Sequence, residues 1–100
     1  MMEKPTTKEI VEAVKAKKRL AKKFGIDEAV YERDYQCAFI KENEHHVIVD
    51  INENDDCIAM NHYDDNNYLQ GYINVKTIDE IVEALNYFAN HRELPDEEYC

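Results

Sequence analysis

The sequence predicts an α+β domain in which a four-stranded antiparallel sheet lies between an N-terminal and a C-terminal amphipathic helix, in the order α-β-β-β-β-α. Three observations predict it: an apolar stripe at helical spacing near each end of the chain, four strand-like segments between them, and short polar connections. Because a parallel crossover needs about a dozen residues or more, these connections favour antiparallel neighbours. Both helices are expected on one face of the sheet.

The first helix is predicted over residues 7–24. Thr6 and Glu9 have the T-x-x-E spacing of a capping box. The apolar stripe behind it comprises Ile10, Ala13, Val14, Leu20, Ala21 and Phe24. Gly25 stands where a left-handed residue commonly ends a helix. Residues 27–34 are compatible either with a short helix or with a direct lead into a strand.

The strands are predicted over residues 35–41, 45–51, 57–63 and 68–75. Alternation places Leu69, Ile73 and Val75 on one face of the last strand and Tyr68, Gln70 and Tyr72 on the other. A second capping box, Thr77 with Glu80, begins the closing helix over residues 78–91. Its stripe includes Leu85 and Phe88, which we expect to be buried against the sheet.

The chain has 100 residues and only two Gly and two Pro, so we expect a single domain over residues 1–100 without linkers. It contains neither an apolar run of membrane-spanning length nor the pattern of a signal peptide. Cys37, Cys57 and Cys100 are widely spaced and odd in number, which favours free thiols, with the first two in the core. These observations predict a cytoplasmic protein that does not interact with membranes.

Charge is distributed unevenly along the chain. Residues 1–23 carry eight basic and three acidic side chains, a net +5, whereas residues 24–100 carry four basic and nineteen acidic side chains, a net −15. Such asymmetry bears on partners and solubility rather than on fold. The basic residues Lys15, Lys18, Arg19, Lys22 and Lys23 suggest phosphate contacts. The acidic body opposes these contacts, so we expect internal neutralisation and no direct binding of nucleic acid.

No set of residues predicts catalysis, a metal site or a cofactor. The chain lacks Ser entirely, and its glycines do not form a phosphate-binding loop. The potential zinc ligands Cys37, Cys57, His45, His46 and His62 lack the close pairing of structural zinc sites. Adjacent strand residues point to opposite faces, so at most one of the first two histidines can approach His62.

Calcium binding is also disfavoured. Asp50, Asn52 and Asn54 are spaced like the start of an EF-hand loop, but Asp55 replaces its glycine and Asn61 its bidentate glutamate. The segment therefore indicates an acidic turn between two strands.

The candidate site is an acidic surface that also carries tyrosines. We expect its partner-binding residues to be Glu53, Asp55, Asp56, Tyr63, Asp64, Asp65, Tyr68 and Tyr72. The two aspartate pairs lie in turns, at one end of the sheet or at opposite ends depending on topology. Carboxylates in such numbers can imitate a phosphate track and fit a basic groove of a protein, and tyrosine is a frequent interface anchor.

The resulting hypothesis is a non-catalytic acidic inhibitor that occupies the basic, nucleic-acid-binding surface of a partner protein. In size and charge the chain is similar to small anti-restriction and anti-CRISPR inhibitors encoded by phages, a compositional likeness without a shared motif. One alternative is a protein-interaction or homodimerisation module that uses a Tyr-rich sheet face or a sheet edge. Another is a small metal-dependent enzyme.

Overall fold

The structure, a computed structural model, describes residues 4–26, 35–41, 45–97 and 99–100. The expectation for residues 27–34 lies outside the described residues. The elements are α1 (Thr7–Ala16), α2 (Lys18–Lys23), β1 (Gly25–Ile26), β2 (Gln36–Ile40), β3 (His46–Asp50), β4 (Ile58–Tyr63), β5 (Leu69–Val75) and α3 (Ile78–His91). In this part of the chain, no helix has the length and apolar character needed to cross a membrane.

The antiparallel sheet follows the order of the chain, β1-β2-β3-β4-β5. The predicted four-stranded sheet between terminal helices is thereby confirmed, and the two-residue β1 extends it beyond β2. Strand residues on one face share a buried cluster with the three helices. The opposite face has no helix packed on it among the described residues, so Tyr72 of β5 on that face remains exposed.

The first helix is broken at Lys17, which the apolar stripe did not predict. The backbone of Lys17 is extended, with φ −90° and ψ 95°, and its N–H donates to the carbonyl of Val14. In an unbroken helix with 3.6 residues per turn, Leu20 would lie about 120° around the axis from Val14. The break lets both side chains enter one core, where they are 3% and 1% exposed.

Gly25 is not the left-handed helix terminator that we expected. No described glycine has a positive φ, and α2 ends at Phe24 in extended conformation. Gly25 instead pairs with Ile40 at the start of β1. The chain can therefore pass directly from helix to strand, while Phe24 packs between Phe39 and Phe88.

A β-bulge in β5 overturns the predicted alternation of that strand. Gly71 pairs with His62, but the next residue of β4, Tyr63, pairs with Leu69, leaving Gln70 as the extra residue. An inserted residue reverses the side on which the preceding residues point. Leu69 is consequently 53% exposed, whereas Ile73 is 6% exposed.

The closing helix and the core agree with the sequence pattern. Both capping boxes are present, at Thr6 and at Thr77. Leu85 and Phe88 are fully buried in the same cluster as the strand residues. The helix ends at Arg92, which is left-handed, with φ 59°. The Lys41 ammonium donates to the carbonyl of Ala89 in the last turn of α3, where a cation also interacts favourably with the helix dipole.

The cysteines differ from the prediction of three free thiols. Cys57 and Cys100 form a disulfide across 43 residues, with Cα atoms 6.1 Å apart. Both residues are half-buried, so the prediction that Cys57 is a core thiol was wrong. Only a tertiary contact brings the two together, since Cys57 precedes β4 and Cys100 lies in the C-terminal segment beyond α3. Cys37 is free and buried, as expected.

Candidate functional site

The two acidic turns lie at opposite ends of the sheet. Residues 51–57 connect β3 to β4, and residues 64–68 connect β4 to β5, so the six residues of β4 separate them. At about 3.3 Å per residue, this separation is about 20 Å. The topology therefore decides between the two arrangements that the sequence left open, and the carboxylates form two groups rather than one.

The turn over residues 51–57 is held by hydrogen bonds from the N-terminal segment and from the neighbouring strands. The Lys4 ammonium donates to the carbonyls of Ile51, at 2.7 Å, and Asn54. The Asp50 carboxylate accepts from Gln36 and from the backbone of Asn52, both at 2.7 Å. An internal ammonium thus binds loop carbonyls of the segment that resembled the start of a calcium loop.

Three predicted site residues belong to this turn. Glu53 accepts a 3.2 Å hydrogen bond from the Asn61 side-chain amide of β4. Asp55 and Asp56 are exposed, and in the described part of the chain their carboxylates have no hydrogen bond or ion pair. These two carboxylates are therefore free to meet a partner, whereas Glu53 is partly held by the sheet.

Asp64 has a structural role in the second turn. Its carboxylate accepts from the backbone N–H of Asn66, at 2.9 Å, and of Tyr68, at 3.0 Å, and from the Gln70 side chain, at 2.9 Å. The backbone bond from Tyr68 is the largest cause lowering the pKa of Asp64, helped by Asn66 and the charges of His45 and His62. Asp64 thus stabilises the turn, whereas exposed Asp65 extends into solvent.

The three predicted tyrosines have different environments. Tyr63 is half-buried and its ring stacks on His46 of β3, with centroids 5.3 Å apart. Tyr68 and Tyr72 are 69% and 65% exposed. The bulge adds Leu69 to the face that carries Tyr72, a neighbour that sequence alternation had placed on the opposite face. Leu69 and Tyr72 therefore form an exposed apolar patch, which Tyr68 precedes along the chain.

A histidine pair lies at the same end of the sheet as the second turn. Nδ1 of His45 is 3.0 Å from Nε2 of His62, and the His62 ring packs edge-on against Phe88. His46 points to the other face, as strand geometry predicted. The pair lines a cleft of about 300 Å³. Its polar walls are formed by Gln70, Arg92, Glu93 and Asp96.

Protonation of His62 is disfavoured by its surroundings. Burial is the largest cause that lowers its pKa, followed by the nearby charges of His45 and His46, while Asp64 acts in the opposite direction. A hydrogen bond between two imidazole nitrogens requires one of them to lack a proton. The contact between the two rings therefore requires that at least one of these nitrogens is unprotonated.

The described side chains do not assemble a metal site. Within the described ranges, no three His, Cys, Asp or Glu side chains converge in a way that could hold a metal ion. His45 and His62 are one pair, and Cys57 is engaged in the disulfide. Burial raises the pKa of the Cys37 thiol to about 12, which keeps it protonated and makes it a poor nucleophile.

The basic helices present their cations to solvent. The exposed cations of α1, α2 and the connection between them are Lys8, Lys15, Lys17, Lys18, Arg19, Lys22 and Lys23. Among the residues that the structure describes, none of them forms an ion pair with a carboxylate, and Lys23 contacts only Asn90, at 3.5 Å. Internal neutralisation without direct ion pairs stays a prediction, since the helices pack on the sheet of the acidic body.

Comparison of the chain with protein-family models, with curated proteins and with solved structures finds no match.

Proposed function

We propose that the protein is a non-catalytic acidic inhibitor that occupies a basic, nucleic-acid-binding surface of a partner protein. The observation that carries the proposal is the exposure of Asp55, Asp56 and Asp65 without internal partners in the described part of the chain. Carboxylates that are already solvated and unpaired can meet basic side chains without first breaking internal bonds. Long-range attraction by the −15 body would speed the encounter.

The spacing of the two acidic turns suits an extended track of basic side chains. Phosphates along one strand of duplex DNA follow at about 3.4 Å of axial rise, so about 20 Å corresponds to about six steps. A groove that holds a nucleic acid over that length can contact both turns of the protein at once. Tyr68, the last residue of the second turn, and Tyr72 of β5 are exposed and can supply apolar contacts.

The proposed class is that of anti-restriction and anti-CRISPR inhibitors, with a nucleic-acid-processing enzyme as the partner. Cytoplasmic localisation belongs to the same proposal, because such an enzyme is met there. The Cys57–Cys100 disulfide weighs against a permanently reducing compartment. Trapping free thiols during lysis and measuring whether Cys57 and Cys100 are oxidised would show whether the protein resides in a reducing compartment such as the cytoplasm or in an oxidising one.

The test replaces Asp55→Asn, Asp56→Asn and Asp65→Asn together and leaves Asp64 intact, because it stabilises its turn. A partner captured from source cells is purified, and its affinity for each protein is measured across a salt series and in competition with duplex DNA. We expect the triple variant to bind at least about tenfold more weakly at low salt, since a charged field acts on the whole encounter.

The matched control removes the same number of charges from positions outside the two acidic turns. Its substitutions are Glu12→Gln, Glu83→Gln and Glu93→Gln, all at exposed positions. We expect this variant to keep near wild-type affinity. Equal losses of affinity in both variants would show that only net charge matters and would contradict a role of the two turns. Binding that does not depend on salt, or that does not displace DNA, would also contradict the proposal.

A further inference from the structure

The last strand, β5, forms an open edge of the sheet. It pairs with β4 on one side and has no strand on its other side among the described residues. In the same part of the chain, no hydrogen bond from outside the sheet reaches the backbone of residues 71–75. Its outward N–H and C=O groups therefore offer a template for another strand.

The edge lacks the features that normally prevent strand pairing. Residues 68–75 form eight consecutive positions without a charged side chain or proline, in a chain of which 34% is charged. Natural edge strands are commonly protected by Lys, Pro, bulges or shortening. The bulge at Gln70 disturbs only the start of β5, so residues 71–75 keep a regular ladder with β4.

The side chains beside this edge add apolar area. Leu69 and Tyr72 lie on the same face because of the bulge, and they are 53% and 65% exposed. Tyr68, 69% exposed, precedes them. Contiguous exposed apolar groups of this kind mark interaction sites in soluble proteins.

The charges that flank the edge identify a second copy of this chain as its occupant. Asp64 and Asp65 precede β5, and Lys76 follows it directly. Antiparallel pairing of two identical strands about a twofold axis brings the start of each strand to the end of the other. With residues 71–75 paired in this way, Lys76 of each copy lies opposite Gln70 of the other, whose side chain donates to the Asp64 carboxylate at 2.9 Å, so each ammonium lies near an acidic group. A strand with net charge of either sign would not be complementary to itself in this way.

We propose that β5 pairs antiparallel with β5 of a second copy over residues 71–75, so that the two sheets join into one. This interface shares Tyr72 with the proposed inhibitor function but does not use the carboxylates of Asp55 and Asp56. Each copy carries a net charge of −10, so salt screens their repulsion and strengthens the dimer. A charge-driven complex with a basic partner weakens with salt, and the two proposals therefore stand or fall independently.

The experiment measures mass in solution by sedimentation equilibrium, from low micromolar to submillimolar protein at low and high salt. We expect the wild-type chain to form dimers, more tightly at high salt. The variant Leu69→Lys with Tyr72→Lys should raise the dissociation constant at least about tenfold, because position 72 of each copy lies diagonally across from position 72 and Lys76 of the other, and like charges at such positions repel. Tyr35→Lys is the control, since Tyr35 is also an exposed aromatic residue, 38% exposed, but precedes β2 on the far side of the sheet.

Hydrogen exchange locates the contact within the dimer. Amides of residues 71–75 should exchange more slowly as protein concentration rises, whereas amides of β2 should not change. A wild-type chain that stays monomeric at every concentration would overturn the proposal, as would a double variant that dimerises normally with unchanged circular dichroism. A dimer disrupted by Ile40→Lys but not by the double variant would place the interface on the open sheet face and would also overturn edge pairing.

Discussion

His45, which directly precedes β3, and His62 of β4 approach to 3.0 Å between Nδ1 and Nε2. His62 is 4% exposed and packs against Phe88 of α3, with ring centroids 4.6 Å apart. The contact joins two titratable rings to the core, so the charge state of the pair and the stability of the fold are linked.

Acidification should destabilise the protein through His62. Its pKa in the folded state is lowered from 6.5, chiefly by burial, so the unfolded chain binds the proton more readily. The stability contributed by neutral His62 is therefore complete above about pH 6.5 and is lost as pH falls from there towards the lowered value. Urea unfolding at a series of pH values between 7.5 and 4.5 measures this loss of the free energy of unfolding.

The variant His62→Gln should have a smaller dependence of stability on pH in that window, because it removes the titrating ring. His91→Gln is the control, since His91 is exposed on the last turn of α3, where its Nδ1 is 2.9 Å from the carbonyl of Tyr87. An unchanged pH profile in the His62 variant would show that other groups carry the effect. The lowered pKa of Asp64 predicts a separate loss of stability below about pH 3.8.

Truncation of Leu85 should remove a large share of the stability of the domain. The side chain is fully buried in the core cluster, so Leu85→Ala is expected to lower the free energy of unfolding by about 2–5 kcal/mol. Asn86→Ala, at the exposed neighbouring position, should change it by about 0.5 kcal/mol or less. Denaturant titrations of both variants measure the difference. Equal small effects would contradict the packing of α3.

Reduction of the Cys57–Cys100 disulfide should lower stability by about 2–4 kcal/mol, because the bond closes a long loop in the unfolded chain. Thermal melts with and without dithiothreitol measure the change. The double variant Cys57→Ala with Cys100→Ala should be insensitive to the reductant and should match the reduced wild-type protein. A wild-type melting temperature that does not respond to reductant would show that the disulfide contributes little.

Loss of the second helix cap should cost about 1 kcal/mol. The Thr77 hydroxyl accepts from the backbone of Glu80 at 3.1 Å, and the Glu80 carboxylate accepts from the backbone of Thr77 at 3.0 Å. Thr77→Ala removes one of these bonds, whereas Thr77→Ser keeps both and should be close to wild type. Chemical denaturation of the two variants measures the cap. A serine variant as unstable as the alanine variant would point to the lost methyl group instead.

Local signals in the sequence were sufficient for the starting points of α1 and α3, the antiparallel sheet and the buried face of α3. Capping boxes and apolar periodicity act over three to eight residues, so Thr6, Thr77, Leu85 and Phe88 were placed correctly. The charge imbalance and the exposure of Asp55, Asp56 and Asp65 likewise follow from composition and turn position. These features depend on neighbours along the chain.

Tertiary structure alone decided the remaining features, because each depends on residues far apart in sequence. The break at Lys17 allows both Val14 and Leu20 to be buried in the core. The bulge at Gln70 depends on the register of β5 with β4. The disulfide joins positions 43 residues apart. The sheet order sends the two acidic turns to opposite ends, so what composition presented as one acidic surface is divided by the length of a strand.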